Sequence, residues 1–357
     1  MIRKDDEAIA LGFEPNKSQR YNLTEEQQTT LKNIRHAKKM GIPSEKIETF
    51  SSSPYYWDKS KDYSFFVRNP LFKEEDKDDF AKNLIKELKE YSPKYPKIKR
   101  EKINDGHLLV IDPADLHVGK LADSFETGET YNNQIAVQRA LEGVDGILAK
   151  SNGFNIDKIM FVGGNDILHI DTPKRTTTGG TPQDTDGMWY SNFLIAKKLY
   201  VDILEKLISI ADVHFVYNPS NHDYTNGFFL ADVVKTHFKD CKNITFDCSI
   251  AHRKYFSYGS NLIGTTHGDG AKHQDLPLLM AHESMDWSLC RHKYIYTHHI
   301  HSKFSKDYMG VCVESLRSPS GTDSWHHKSG YQHAPKAVEG FIHHPIHGQI
   351  ARLTHIF

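Results

Sequence analysis

Cysteine is scarce in this chain: Cys241, Cys248, Cys290 and Cys312 are the only four in 357 residues, and no two stand as a C-x-x-C pair. The spacing of a zinc ribbon is excluded and no disulfide framework is indicated, so a reducing cytoplasm is the expected compartment. Long apolar runs are missing too. None approaches the roughly 18 residues that a membrane-crossing helix needs, and Met1-Ile2-Arg3-Lys4-Asp5-Asp6 lacks the apolar core of an export signal. Net charge is nearly absent: 45 Lys and Arg against 46 Asp and Glu leave −1, so any attraction to a polyanion must be local. What remains is the composition of a soluble, globular chain with room for one large domain and one small.

Histidine is plentiful instead, at 22 residues. Five of them stand in a series of five short clusters: Asp115-Leu116-His117, Gly163-Gly164-Asn165-Asp166, Ser220-Asn221-His222-Asp223, His267-Gly268-Asp269 and His299-Ile300-His301. Each follows an apolar run that reads as a short buried strand, over 108–111, 159–162, 213–217, 262–266 and 294–297. Helical periodicity lies between most of them. Residues just past the carboxyl ends of parallel strands converge on one crevice. His299 and His301 stand two apart, which on a regular strand would point both rings to one side. A carboxylate can bridge two cations, while imidazoles and an amide oxygen complete the shells, so a pair of divalent metal ions is expected. Such a mixed N/O set suits manganese first, with iron, zinc or magnesium as alternatives.

The ordered set D-x-H, G-(N)-D, N-H-D, H and H-x-H resembles the calcineurin-like metallophosphoesterase superfamily over roughly residues 105–357. The resemblance implies a four-layer α/β/β/α sandwich. It implies Asp166 as the bridging ligand, Asp115, His117 and His301 on one ion, and Asn221, His267 and His299 on the other. It also implies that His222 assists the leaving oxygen, with Asp223 orienting its ring, while the metals activate a water to attack phosphorus. Three positions depart from the family pattern. Asn165 is inserted before Asp166, Asp269 follows Gly268 where a second histidine is common, and His298 stands where a glycine precedes the last motif. The last leaves His298 and His299 as competing ligands, with His299 preferred for its partner at His301.

Asp166-Ile167-Leu168-His169 is similar to a run in the SbcD-type DNA-repair nucleases, where the extra histidine helps handle the phosphodiester. Arg317-Ser318-Pro319 is similar to a segment after their last histidines. A structural hydrogen bond is an equal reading for His169. The resemblance implies DNA as substrate and homodimers as an option, and phages carry stand-alone versions of the domain. Residues 349–357 read as one closing strand, so an SbcC-like ATPase partner is not expected. Two alternatives stay open: a small-molecule or nucleotide phosphodiesterase, and a decayed metal-binding protein that binds nucleic acid. His326-His327 and His343-His344 read as ordinary surface or loop residues.

The loop 172–187, long and polar, reads as a lid or an ordinary surface loop, with Lys174 and Arg175 placed to meet phosphate. Residues 1–90 are expected to form a small, mainly helical accessory domain. Thr24-Glu25-Glu26-Gln27 reads as a capping box, Gly41 as a helix stop and Pro43 as a second start, compatible with a helix-turn-helix. Tyr55, Tyr56, Trp57, Tyr63, Phe65 and Phe66 interleave with Lys59, Lys61 and Arg68, either as that domain's core or as a surface for unpaired bases. A charged helix is expected over 73–91, and a basic, solvated linker over 91–104.

Overall fold

The computed structural model describes residues 94–357 except Lys102, the backbone of two strands at 55–58 and 65–68, and six residues between 24 and 39. The chain divides into two compact units, Met1–Ser92 and Pro93–Phe357. In the first, strands β1 (Tyr55–Asp58) and β2 (Phe65–Arg68) pair antiparallel, Trp57 opposite Phe66. The aromatic segment therefore contains a hairpin, which the expectation of a mainly helical unit did not include. Gln28 N–H donates to Thr24 O (2.9 Å), the spacing of a helical turn, and Leu31 is buried. The glycine turn, the second helix and the charged helix over 73–91 lie outside the described residues.

Residues 94–100 stay largely exposed but are pinned at three points. Ile98 exchanges two hydrogen bonds with the Asn243 side chain (2.8 and 2.9 Å). Arg100 pairs with Asp212 and the Ile208 carbonyl, and Tyr95 rests on Phe238. Of its basic residues, Arg100 finds partners on the second unit's own surface.

That unit is a mixed α/β structure built on two sheets. The first has the order β13-β12-β3-β4-β5-β6, with β3 (His107–Asp112), β4 (Ile156–Gly164), β5 (Asp212–Asn218) and β6 (Ile244–Asp247) parallel. Strands β12 (Ala337–His344) and β13 (Gly348–Ile356) add antiparallel at one edge. The second sheet runs β10-β11-β9-β8-β7. Its β8 (Asn261–Thr266), β9 (His292–Thr297) and β11 (Val311–Ser315) are parallel, flanked by antiparallel β7 (Arg253–Tyr258) and β10 (Phe304–Tyr308).

Strand alternation sorts the apolar residues into three cores. Leu109, Ile111, Ile159, Phe161, Val213 and Phe215 face helices α2 (Asn133–Lys150), α3 (Trp189–Ile210) and α4 (Tyr224–His237). Their neighbours Leu108, Val110, Met160, Val162 and Val216 meet Ile263 and Tyr296 of the other sheet. Leu262, Ile295, Val311 and Val313 turn the opposite way, onto Leu276 and Met280 of α5 (Leu276–Glu283). Continuous apolar runs such as Leu108-Leu109-Val110-Ile111 make sense on strands buried on both faces, each side chain contributing about 1.5–3 kcal/mol. Two short helices, α1 (Ser124–Thr127) and α6 (Ser324–Ser329), lie in the connections. Among the described residues, no helix is long and apolar enough to cross a membrane.

Candidate metal centre

Every expected strand is present, but the five clusters emerge from two sheets and not from one. Asp115, His117, Asp166, Asn221 and His222 follow β3, β4 and β5; His267, His299 and His301 follow β8 and β9 of the other sheet. The crevice lies where the carboxyl ends of both sheets meet.

The backbone in these turns is unusual. Asp115, His117, Asn165, Asp166, His299 and His301 all have φ between 50° and 71°, six of the nine non-glycine residues with positive φ among the described residues. Each such residue costs roughly 1–2 kcal/mol, so the surroundings must over-determine it. Three bonds zip the first two turns together: Asp115 N–H to Asn165 O (2.8 Å), His117 N–H to Asp166 O (2.9 Å) and Val118 N–H to Ile167 O (2.8 Å). Ser318 Oγ donates to Asp115 O (2.7 Å) from the Arg317-Ser318-Pro319 segment. Gly164 has φ 77°, and a Cβ there would stand 2.3 Å from Asn218 O, so only glycine lets the chain turn into Asn165 and Asp166. The histidine pair is corrected by the same fact. His299 and His301 lie beyond the end of β9 in left-handed conformations, so turn geometry sets their rings, not strand alternation.

Two groups of donors result, each with ligand atoms within 4.8 Å of one another: Asp115, His117 and His301, and Asp166, His267 and His299. His117 Nε2 lies 3.3 Å from His301 Nε2, and His301 Nε2 lies 3.5 Å from Asp115 Oδ1. In the second group His267 Nε2 lies 3.2 Å from Asp166 Oδ2 and 2.9 Å from Asn221 Oδ1. Asp166 Oδ2 is also 4.0 Å from His117 Nε2, and Asp115 Oδ1 is 4.0 Å from His267 Nδ1, so each carboxylate borders both groups. A third set, His117, His169 and His222, overlaps the first.

His222 is held from two directions. Its N–H donates to Asp166 Oδ1 (2.9 Å), and its ring Nδ1 faces the His169 carbonyl at 2.9 Å. Asp223 does not hold that ring. Its carboxylate accepts from Ser220 Oγ (2.6 Å) and Leu168 N–H (2.8 Å), and Ser220 Oγ in turn accepts from Asp166 N–H (2.7 Å). Asp223 therefore braces the turn that carries Asp166. The ring of His169 is buried, stacked on His222 (5.3 Å between centroids) with Nδ1 3.3 Å from His117 Nδ1. His298 is turned inward against Asp112 Oδ2 (2.9 Å) and Thr266 O (3.1 Å), and only His299 stands in the donor group.

The electrostatics of the cluster ask for positive charge. Burial alone would raise Asp115 and Asp166, yet neighbouring histidines, His301 and His267 foremost, hold both carboxyls below their ordinary range. Burial works to lower His267, but Asp166 and Asp115 push it up to about 9. Burial and the nearby His222 drive His117 well down; burial lowers His299 and His301. Asp223 is pushed up to about 8 by burial and by the charge of Asp166. Two buried carboxylates thus rely mainly on imidazoles for charge balance, with Lys120 also acting on Asp115, and His267 Nδ1 is buried without a partner. A donor set of carboxylates, neutral imidazoles and one amide oxygen fits divalent cations.

The other expectations fare differently. Lys174 and Arg175 are exposed, and among the described residues neither side chain is joined to the cluster. Their loop is knit down, not free: Thr178 Oγ1 donates to Asp171 Oδ2 (2.8 Å) and accepts from Tyr224 N–H (3.1 Å). His326 is no ordinary surface residue. Its ring stacks on His301 (5.0 Å, 13°), and its Nδ1 meets Asp323 Oδ1 at 2.7 Å. Asp323 Oδ2 also pairs with Nζ of Lys120 (2.8 Å), a lysine 1% exposed. Nothing in the sequence separated these three from other charged residues, because the partners are 203 positions apart. His343 is likewise buried, in β12, with Nε2 2.9 Å from Tyr296 Oη.

No family model matches the chain, and no curated protein matches it. Among solved structures, an archaeal phosphodiesterase is similar at 9% identity, with 70% of this chain and 99% of that chain covered and a TM-score of 0.33. Vps29 of Chaetomium thermophilum gives 12%, 70%, 98% and 0.33 in the same terms. A conserved Streptococcus pneumoniae protein described as a predicted phosphoesterase gives 13%, 71%, 98% and 0.29. At these values the functional reading rests on the site's own geometry.

Proposed function

We propose that this chain is a two-metal phosphodiesterase of the calcineurin-like kind, with a four-layer α/β/β/α catalytic domain and DNA as its substrate. One observation carries the reading: Asp166 Oδ2 lies between two histidine groups, 3.2 Å from His267 and 4.0 Å from His117, as a bridging carboxylate must. Asp115, His117 and His301 would hold one divalent ion, and Asn221, His267 and His299 the other, with Asp166 shared. Manganese is the metal proposed, with iron, zinc or magnesium as alternatives; the carboxylates and the amide oxygen suit manganese or magnesium, and the imidazoles suit iron or zinc. When bound, the pair supplies Lewis acidity, lowering the pKa of water and neutralising charge on the phosphoryl oxygens.

The chain's own residues do the rest. Asp166 orients the His222 backbone, and the His169 carbonyl accepts from Nδ1–H of the His222 ring, fixing its tautomer. Nε2 of His222 is then the atom that carries the proton to the leaving oxygen. His169 packs behind this ring and limits its rotation. The SbcD-like run that ends at His169 supports DNA over a small ester.

The test is hydrolysis, with manganese present, of labelled single- and double-stranded DNA beside bis-(p-nitrophenyl) phosphate, with His222→Ala as control. DNA cleavage that disappears in the variant is the expected result. Turnover of the small ester alone would replace DNA by a small-molecule substrate, and inactivity towards all three with metal bound would mark a decayed site.

A further inference from the structure

A row of aromatic rings begins at the proposed metal ligand His301 and runs outward. His326 stacks on His301 (5.0 Å, 13°), Trp325 meets His326 edge-on (5.1 Å, 88°), and Tyr331 lies beside Trp325 (5.8 Å, 34°). The outer two are each 63% exposed, a costly placement for large rings unless something covers them. The segment is anchored at its base. Asp323 caps α6 by accepting from His326 N–H (2.9 Å) and pairs with buried Lys120, while Ser324 Oγ donates to Glu126 Oε1 of α1 (2.6 Å). The rings are therefore presented by a braced element, and not by a loose loop.

The aromatic rings narrow the occupant. Between Asp323 and Glu339 the chain carries the exposed Lys328, the partly buried Lys336 and three histidines, with Asp323 and Glu126 at the base of the segment. Exposed aromatics beside an exposed lysine, next to a proposed site for phosphodiesters, suit a strand whose bases are unpaired: each base offers a π-face and each linkage a negative charge. Duplex DNA keeps its base faces covered.

We propose that Trp325 and Tyr331 form a stacking platform for unpaired bases next to the scissile phosphate, so that the substrate is single-stranded or frayed DNA. This rests on the phosphodiesterase reading and deepens it. The test uses the full chain and strands with phosphorothioate linkages, which resist cleavage. Fluorescence anisotropy compares oligothymidylate, an abasic strand of equal length, and a duplex. Wild type should prefer the thymidylate strand over the abasic one by at least about fivefold, the low end of stacking on one ring. Trp325→Ala should bring the two within about twofold, and Trp325→Phe should restore most of the preference.

An unchanged preference in Trp325→Ala, or none in wild type, would overturn the platform. Failure of the phosphodiesterase reading is separately visible. In that case base preference would persist and depend on Trp325, while manganese-loaded protein hydrolysed neither DNA nor bis-(p-nitrophenyl) phosphate.

Discussion

His298 Nε2 lies 2.9 Å from Asp112 Oδ2, and both side chains are buried beside the turns that carry Asp115 and His299. Asp112 ends β3 of one sheet, and His298 follows β9 of the other, one residue before His299. The pair ties the sheets together where their loops must cooperate. Burial raises Asp112 against the opposing pull of His298, while Asp112 raises His298 against the effect of its burial.

Removing one member should be worse than removing both. Asp112→Ala leaves His298 buried without its counter-charge and should cost about 3–5 kcal/mol by urea unfolding. The double variant Asp112→Leu, His298→Leu should lose less than Asp112→Ala alone, because no buried charge is left without its partner. A loss under about 1 kcal/mol in the single variant would show the pair to be unimportant to stability.

Asp166 and His222 should separate metal binding from turnover. Asp166→Ala removes the carboxylate bordering both donor groups and should empty the site, as read by metal analysis of the purified protein. His222→Ala should keep its metal and lose about 10²–10⁴-fold in rate, the usual share of a general acid. Metal loss from this variant would instead place His222 among the ligands, with His117 and His169.

Lys120 depends on Asp323. Its ammonium is 1% exposed, and burial lowers its pKa while Asp323 pulls it back up. Asp323→Asn should destabilise the fold by about 2 kcal/mol, less than for a fully enclosed pair because Asp323 is partly exposed. Asn keeps an oxygen that can still accept from the His326 ring, so that contact should survive. Thermal denaturation measures the destabilisation; an unshifted midpoint would mean that water or another acceptor replaces Asp323.

His343 should make the fold acid-sensitive. Burial pushes its pKa down to about 3. Its Nε2–H can donate to Tyr296 Oη, whose hydroxyl donates to Gln349 Oε1 (3.0 Å), while Nδ1 is buried with no acceptor to receive a proton. The unfolded chain, with an ordinary histidine pKa near 6.5, binds the extra proton first, so this contribution is present above that value and fades as pH falls towards 3. His343→Leu should be less destabilising at pH 5 than at pH 7.5 by about 2 kcal/mol. Equal effects at the two pH values would show that His343 is readily protonated in the folded protein.

Much of the site was legible because its signal is local. A strand's apolar run and the Asp, His or Asn just beyond it fall within ten residues, so the five clusters could be read in order. Two kinds of residue were not legible. His326 and His343 looked like surface histidines, since burial against His301 or Tyr296 is set by elements far away in the chain. Strands β6, β7 and β10 went unread, because short strands of mixed polarity carry little periodicity.

The sequence by itself determined which residues could bind metal and that they follow strand ends, because side-chain chemistry and alternation are properties of short segments. Only the tertiary structure decided that the candidate donors come from two sheets, that His299 and not His298 turns into the cluster, and that Asp223 braces Asp166 instead of His222. Those outcomes depend on left-handed turns held by hydrogen bonds between loops some fifty residues apart or more, as in Asp115 to Asn165 and His222 to Asp166. No short window of residues contains both ends of such a bond.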